Sequence, residues 1–154
     1  MAFAAPSLKG RALRLLSQRE HSRSELERKL AKYEEEPGTL AKALDELAAK
    51  DFISEPRVVA SVLHQRAPRL GALRVRQELQ QKGIAPEAIA EAVASLQHSE
   101  LERARALWRR RFEAPPADAR EYAKQTRFLL ARGFAGAVVA KVVKGGGVDE
   151  NEAG

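Results

Sequence analysis

LGALRVRQELQQKGI, residues 70–84, reads as a short amphipathic helix that stops at a glycine. Val75 and Leu79 stand four apart on one face, while Arg74, Arg76 and Lys82 are basic. Gly83 supplies the left-handed residue that closes a helix C-terminus without a steric penalty. The pattern recurs along the chain. A shift of 49 places brings Leu30 onto Leu79, and a shift of 50 in the other direction brings Leu129 there. One three-helix unit written three times is the expectation.

The rest of the chain fits that period. With the first shift, Leu26, Leu40, Leu44 and Leu47 align with Val75, Ile89, Val93 and Leu96, and Pro37 with Pro86. With the second, Lys82-Gly83-Ile84 aligns with Arg132-Gly133-Phe134. Matching stop signals are harder to obtain by chance than matching apolar positions. The first unit departs, because Lys32-Tyr33-Glu34 carries no glycine and its helix must end in another way. The predicted class is all-α, with three tandem three-helix, helix-turn-helix-like repeats in an elongated, curved array. Their spans are 8–53, 54–98 and 99–144, between a flexible N-terminus (1–7) and a disordered acidic tail (145–154).

Local signals place the helices. Ser7 caps the first, and Ser22 with Glu25 forms a capping-box pattern for the second. Ser54 caps the fourth, with Pro56 in its first turn. Ser99 and Glu102 read as another capping box, and Asp118 with Glu121 as a third. Val138, Val139, Val142 and Val143 suggest a strand by composition, but the repeat places them on a helix.

Composition agrees. Strong helix formers dominate, and aromatic residues make up 5% of the 154 residues. The chain contains no cysteine, which excludes disulfides and thiolate chemistry. No apolar run approaches the ~20 residues needed to cross a bilayer, and the N-terminus lacks a signal-peptide pattern. A cytoplasmic, non-membrane protein is expected. The formal net charge is +6, distributed unevenly. Residues 1–56 carry ten bases and ten acids, whereas 101–144 carry eleven bases and four acids. Such a shift points to an anionic partner, with nucleic acid ahead of membrane.

Catalytic signals are absent. No phosphate-loop motif occurs. The histidines, His21, His64 and His98, read as ordinary surface residues; the single His98–Glu102 spacing is too little for a metal site. Glu34-Glu35-Glu36 reads as a solvated loop. No metal, cofactor or catalytic residue is assigned. The basic residues remain. Arg66, Arg69, Arg74, Arg76 and Lys82 cluster in the second unit, and Arg103, Arg105, Arg109, Arg110, Arg111, Lys124, Arg127 and Arg132 in the third. Arginine-rich helix faces track phosphates, and Tyr122, Phe112 or Trp108 would add stacking. Trp108, Phe128 and Phe134 read better as core.

Residues 70–84 also resemble the central signature of the RecX family of bacterial recombination regulators, a glycine, an arginine-rich helix ending in Glu-Leu, then Lys-Gly-Ile. Here these are Gly71, Arg74, Arg76, Glu78, Leu79, Lys82, Gly83 and Ile84. RRRFEAPPADAREYAKQTRFLLARGF, residues 109–134, is similar to the family's last motif. The likeness runs from Leu8 to Val143. One departure is Glu55-Pro56-Arg57-Val58-Val59-Ala60, where the family has Asp-x-Arg-Phe-Ala. The resemblance implies an elongated helical protein that binds the RecA recombinase, lodges along the RecA–DNA filament and inhibits its ATPase, recombinase and coprotease activities. It implies a place in DNA recombination, repair and the SOS response. The contact residues expected on that reading are Arg66, Arg69, Arg74, Arg76, Lys82, Arg109, Arg110, Arg111, Lys124, Arg127 and Arg132, in a non-enzymatic monomer. Its partners are the RecA filament and single- or double-stranded DNA, met directly or within the filament. The rival reading is a basic helical protein that binds nucleic acid without RecA.

Overall fold

The computed structural model describes residues 5–145, and among them the chain is all-helical, with no strand. The flexible N-terminus and acidic tail expected from the sequence lie largely outside the described residues. The first unit holds α1 (Leu8–Gln18), α2 (Arg23–Leu30) and α3 (Thr39–Ala49). The second holds α4 (Glu55–Arg66), α5 (Ala72–Gln81) and α6 (Pro86–Gln97), and the third α7 (Glu100–Arg111), α8 (Ala119–Ala131) and α9 (Gly136–Lys144). Each unit buries its own apolar cluster. Leu26, Leu30, Leu44 and Leu47 belong to the first, Val58, Val75, Leu79 and Ile89 to the second, and Trp108, Leu129, Phe134 and Val142 to the third. Such a row has separate cores joined by interfaces, as in repeat proteins. The valines of α9 are helical, with Val139, Val142 and Val143 buried and Val138 partly so, and the repeat outweighed their strand preference.

Most caps form as the sequence predicts. The Ser7 hydroxyl accepts from the Gly10 amide at 3.0 Å, and Asp118 from the Glu121 amide at 2.8 Å. Ser22 and Glu25 make the reciprocal capping box. The box predicted at Ser99 does not form. His98 continues the right-handed backbone from α6, so Ser99 (φ −111°, ψ 2°) lacks the extended conformation an N-cap needs. Its hydroxyl accepts from Arg103 Nε at 3.0 Å instead. Glu34 is not merely a solvated loop residue either: its carboxylate accepts the Leu40 amide at 2.8 Å, near the start of α3.

The units are joined through their middle helices, end to end. The C-terminal turn of α8 meets the N-terminus of α5, where the amides of Gly71 and Leu73 donate to the carbonyls of Arg132 and Gly133 at 2.7 and 3.1 Å. Helix ends leave such groups without intrahelical partners, so each end satisfies the other, and the negative end of one dipole meets the positive end of the next. The Glu100 carboxylate accepts the intervening Ala72 amide at 3.3 Å. The turn after α5 abuts the N-terminus of α2, with Gly83 against Ser24 and Lys82 Nζ 3.0 Å from Glu25. The first unit, which has no glycine at the matching place, closes its middle helix differently. In that unit α2 ends in a single 3-10 turn, Ala31–Tyr33.

Glu25 sits at the first junction and is buried. Burial disfavours its charge, but bonds from Arg19, the Ser22 amide and Lys82 outweigh that cost and hold its pKa at about 2, below the ordinary 4.5. A depressed carboxylate pKa stabilises the fold above the unfolded value and ceases to do so as pH falls through the folded one. The full contribution is at most about 3 kcal/mol. Chemical denaturation is therefore expected to show the wild type losing more stability than Glu25→Gln between about pH 5 and pH 2.5. Parallel losses in the two proteins would contradict this role for the carboxylate.

Candidate interaction face

The basic residues singled out from the sequence divide into two groups. The first is committed within the protein. Arg66 pairs with Glu78, its Nη2 3.1 Å from the carboxylate. Arg74 donates through Nη1 to the Ala131 carbonyl at 2.8 Å, capping the last turn of α8 across the unit boundary. Lys82 joins Glu25 across the other boundary. Arg132 lies 5.1 Å from the Phe128 ring centroid. Arg74 and Lys82 thus tie neighbouring units together, while Arg66 and Arg132 make their contacts inside their own units.

The second group faces solvent. Arg69 stands in the turn before α5, and Arg76 on α5 itself beside the shallow groove lined by Gln80, Ile84 and Pro86. Arg109, Arg110 and Arg111 end α7, while Lys124 and Arg127 lie on α8; all five are exposed. Arg76, Arg110, Lys124 and Arg127 have no ion pair among the described residues. Arg111 reaches across two rings, with centroids of Phe112 and Phe128 at 5.6 and 5.9 Å. Those rings pack edge to face at 5.4 Å. This cation–π cluster restrains the arginine while leaving it accessible.

Arg103 and Arg105, counted with the basic set in sequence, belong to the interior. Arg105 is buried on the core side of α7. The Arg103 guanidinium donates through Nη1 to the carbonyls of Ala67 and Leu70, both at 2.7 Å, and through Nη2 to that of Leu96 at 3.2 Å. It thereby binds the ends of α4 and α6 to α7. Burial lowers its pKa from the ordinary arginine value, and the Glu100 carboxylate opposes the shift. Trp108 is core, as expected. Its indole donates to Gln125 Oε1 at 2.8 Å, and Gln125 Nε2 donates to the Ala114 carbonyl, pinning the loop between α7 and α8. Phe112 is also buried, which leaves Tyr122 as the exposed stacking candidate.

His21 corrects another expectation, for it is buried rather than a surface residue. Its Nδ1 lies 3.1 Å from the Arg19 carbonyl and its Nε2 3.0 Å from Lys29 Nζ. Burial lowers its pKa, so the neutral ring, accepting from Lys29, is the favoured form. Among the described residues no group of three or more His, Asp or Glu is placed to hold a metal. No described helix is long and apolar enough to cross a membrane.

Comparison with known proteins adds to this geometry. Models of the first, second and third three-helix domains of RecX match residues 9–47, 54–93 and 98–143. The sequence is 55% identical over 138 residues to the regulatory protein RecX of Leptothrix cholodnii, spanning 90% of this chain and 88% of that one. It is 49% identical over 139 residues to that of Ralstonia nicotianae, spanning 90% and 87%. Among solved structures, RecX from Lactobacillus salivarius superposes with a TM-score of 0.72 at 20% identity, covering 90% of this chain and 93% of that one. At that identity the likeness concerns the fold alone.

Proposed function

The chain belongs to the RecX family, and on that premise we propose that it binds RecA and the RecA–DNA filament and inhibits the ATPase, recombinase and coprotease activities. It acts as a monomer and not as an enzyme. The observation that supports this reading best is the row itself. Three units joined end to end make a long surface, and exposed cations recur on the second and third of them. A compact enzyme would need a converging cleft; a filament ligand needs repeated contacts along an axis.

In this reading Arg69, Arg76, Arg109, Arg110, Arg111, Lys124 and Arg127 meet the filament, whether its DNA or RecA's acidic faces. Arg74 and Lys82 serve it indirectly, by fixing the relative placement of the units, and Arg66 and Arg132 by their contacts within the second and third units. Bridging neighbouring RecA protomers would oppose filament growth or the changes that accompany nucleotide turnover.

The test is a titration of the labelled chain against RecA-coated and bare single-stranded oligonucleotide over a range of salt. Tighter binding to the coated strand is expected; equal affinity would favour the RecA-independent reading. Replacing Arg109, Arg110 and Arg111 by alanine should flatten the salt dependence. A slope of about 0.7–0.9 disappears with each phosphate contact, roughly 2–3 if all three reach phosphates. An unchanged slope would remove this cluster from the DNA contact.

A further inference from the structure

The first unit is neutral by residue count, but its charges are spatially sorted. Its acids pair with a subset of its bases: Glu46 with Lys9, Glu25 with Arg19, and both Glu27 and Asp45 with Arg23. Glu20 and Asp51 are drawn to Arg57 of the next unit. Arg11, Arg14, Lys29 and Lys32 have no carboxylate partner among the described residues. These four line one groove of about 210 Å³ between α1 and the end of α2.

The floor of this groove is apolar, made by Leu15, Leu30 and the ring of Tyr33. Arg11 stacks 3.7 Å from the Tyr33 ring centroid, and Lys32 approaches the same ring at 5.2 Å. Its place in the repeat is informative. The corresponding ends of α5 and α8 dock on the preceding unit, through Gly83 against Ser24 and Gly133 against Arg74. The groove lies beside the corresponding end of α2, and no acidic residue lines it.

We propose that this groove is a docking site for an acidic peptide segment carrying an apolar side chain, which seats on Leu15 and Leu30 beside the Arg11–Tyr33 stack while flanking carboxylates meet Arg11, Arg14 and Lys32. The apolar floor favours peptide over nucleic acid, since a phosphodiester backbone meets the cations but leaves the floor unfilled. Arg11 already occupies the Tyr33 ring at stacking distance, which disfavours a base there. The site is separate from the basic faces of the second and third units and does not depend on RecA being the partner.

Fluorescence anisotropy with the labelled peptide Glu-Asp-Glu-Leu-Phe-Glu-Asp-Glu tests it on the full chain. Exchanging Leu-Phe for Ser-Ser in the peptide should weaken binding by about tenfold or more, the consequence of losing buried apolar groups. Arg14→Glu combined with Lys32→Glu should weaken the original peptide by about tenfold or more. The charge-matched control Lys42→Glu with Lys50→Glu, at exposed positions on α3 and directly after it, should change it by less than about twofold. Circular dichroism establishes that both variants are folded, and Arg14→Gln with Lys32→Gln repeats the comparison without charge reversal. Equal binding of the Leu-Phe and Ser-Ser peptides overturns the proposal, as does equal loss in the control. So does a single-stranded oligonucleotide whose binding alone responds to the groove variant, or self-association of the chain that the groove variant abolishes.

Discussion

Gly71→Ala is expected to destabilise the protein by about 2–4 kcal/mol and to loosen the third unit from the second. Gly71 has an ordinary backbone conformation, φ −81° and ψ 171°, so alanine meets no conformational penalty there. The penalty is contact. A methyl group would collide with the Gly133 carbonyl oxygen and lie 2.5 Å from the Gly133 carbonyl carbon and the Phe134 nitrogen. These are backbone atoms of a buried turn and cannot swing aside. Relief requires withdrawing α8 from α5, which breaks the bonds donated by the Gly71 and Leu73 amides. Gly136→Ala is the matched control, since its added methyl meets nothing within 4 Å and the position begins α9. Thermal and denaturant unfolding of the two variants separate the contact effect from glycine's general flexibility. Hydrogen exchange in Gly71→Ala should accelerate first at residues 71 and 73. A neutral Gly71→Ala would contradict the end-to-end packing.

Arg103→Ala is expected to cost about 3–5 kcal/mol, far more than an exposed arginine. Removing the guanidinium leaves the carbonyls of Ala67, Leu70 and Leu96 without their shared donor. It also removes the cation 5.9 Å from the Phe134 ring centroid. Arg103→Lys should recover only part of the loss, because a single ammonium cannot span the same carbonyls with a planar fork. Arg110→Ala, on the exposed end of the same helix, should fall within about 0.5 kcal/mol of wild type. Equal stabilities of Arg103→Ala and Arg110→Ala in urea would remove the staple from the description of the second junction.

These residues also mark what the sequence makes legible. Caps and stops act over a few residues, so Ser7, Ser22, Ser54, Asp118, Gly83 and Gly133 can be read directly. Apolar spacing likewise identifies Leu26, Val75 and Leu129 as core. Ser99 fails because a cap depends on the backbone leading into it, and α6 runs almost without a gap into α7. Charge is harder. Arg103 and Arg110 are equivalent as letters, yet one staples three carbonyls and the other faces water. Lys82 and Glu25 are 57 positions apart, and the repeat gives no warning that successive units pair them. The neutral count over residues 1–56 likewise conceals the sorting of cations toward Tyr33. Local rules therefore find the helices and the cores, while the work of each basic residue emerges only when the units are placed against one another.

The most direct measurement is DNA-dependent ATP hydrolysis by RecA with increasing amounts of this protein, at concentrations too low to coat the DNA. A second, unrelated DNA-dependent ATPase is assayed in parallel on the same DNA. The expected result is inhibition of RecA alone, diminished when Arg109, Arg110 and Arg111 are replaced by alanine. Equal inhibition of both enzymes, or none of RecA, would contradict a regulator that acts on the RecA filament.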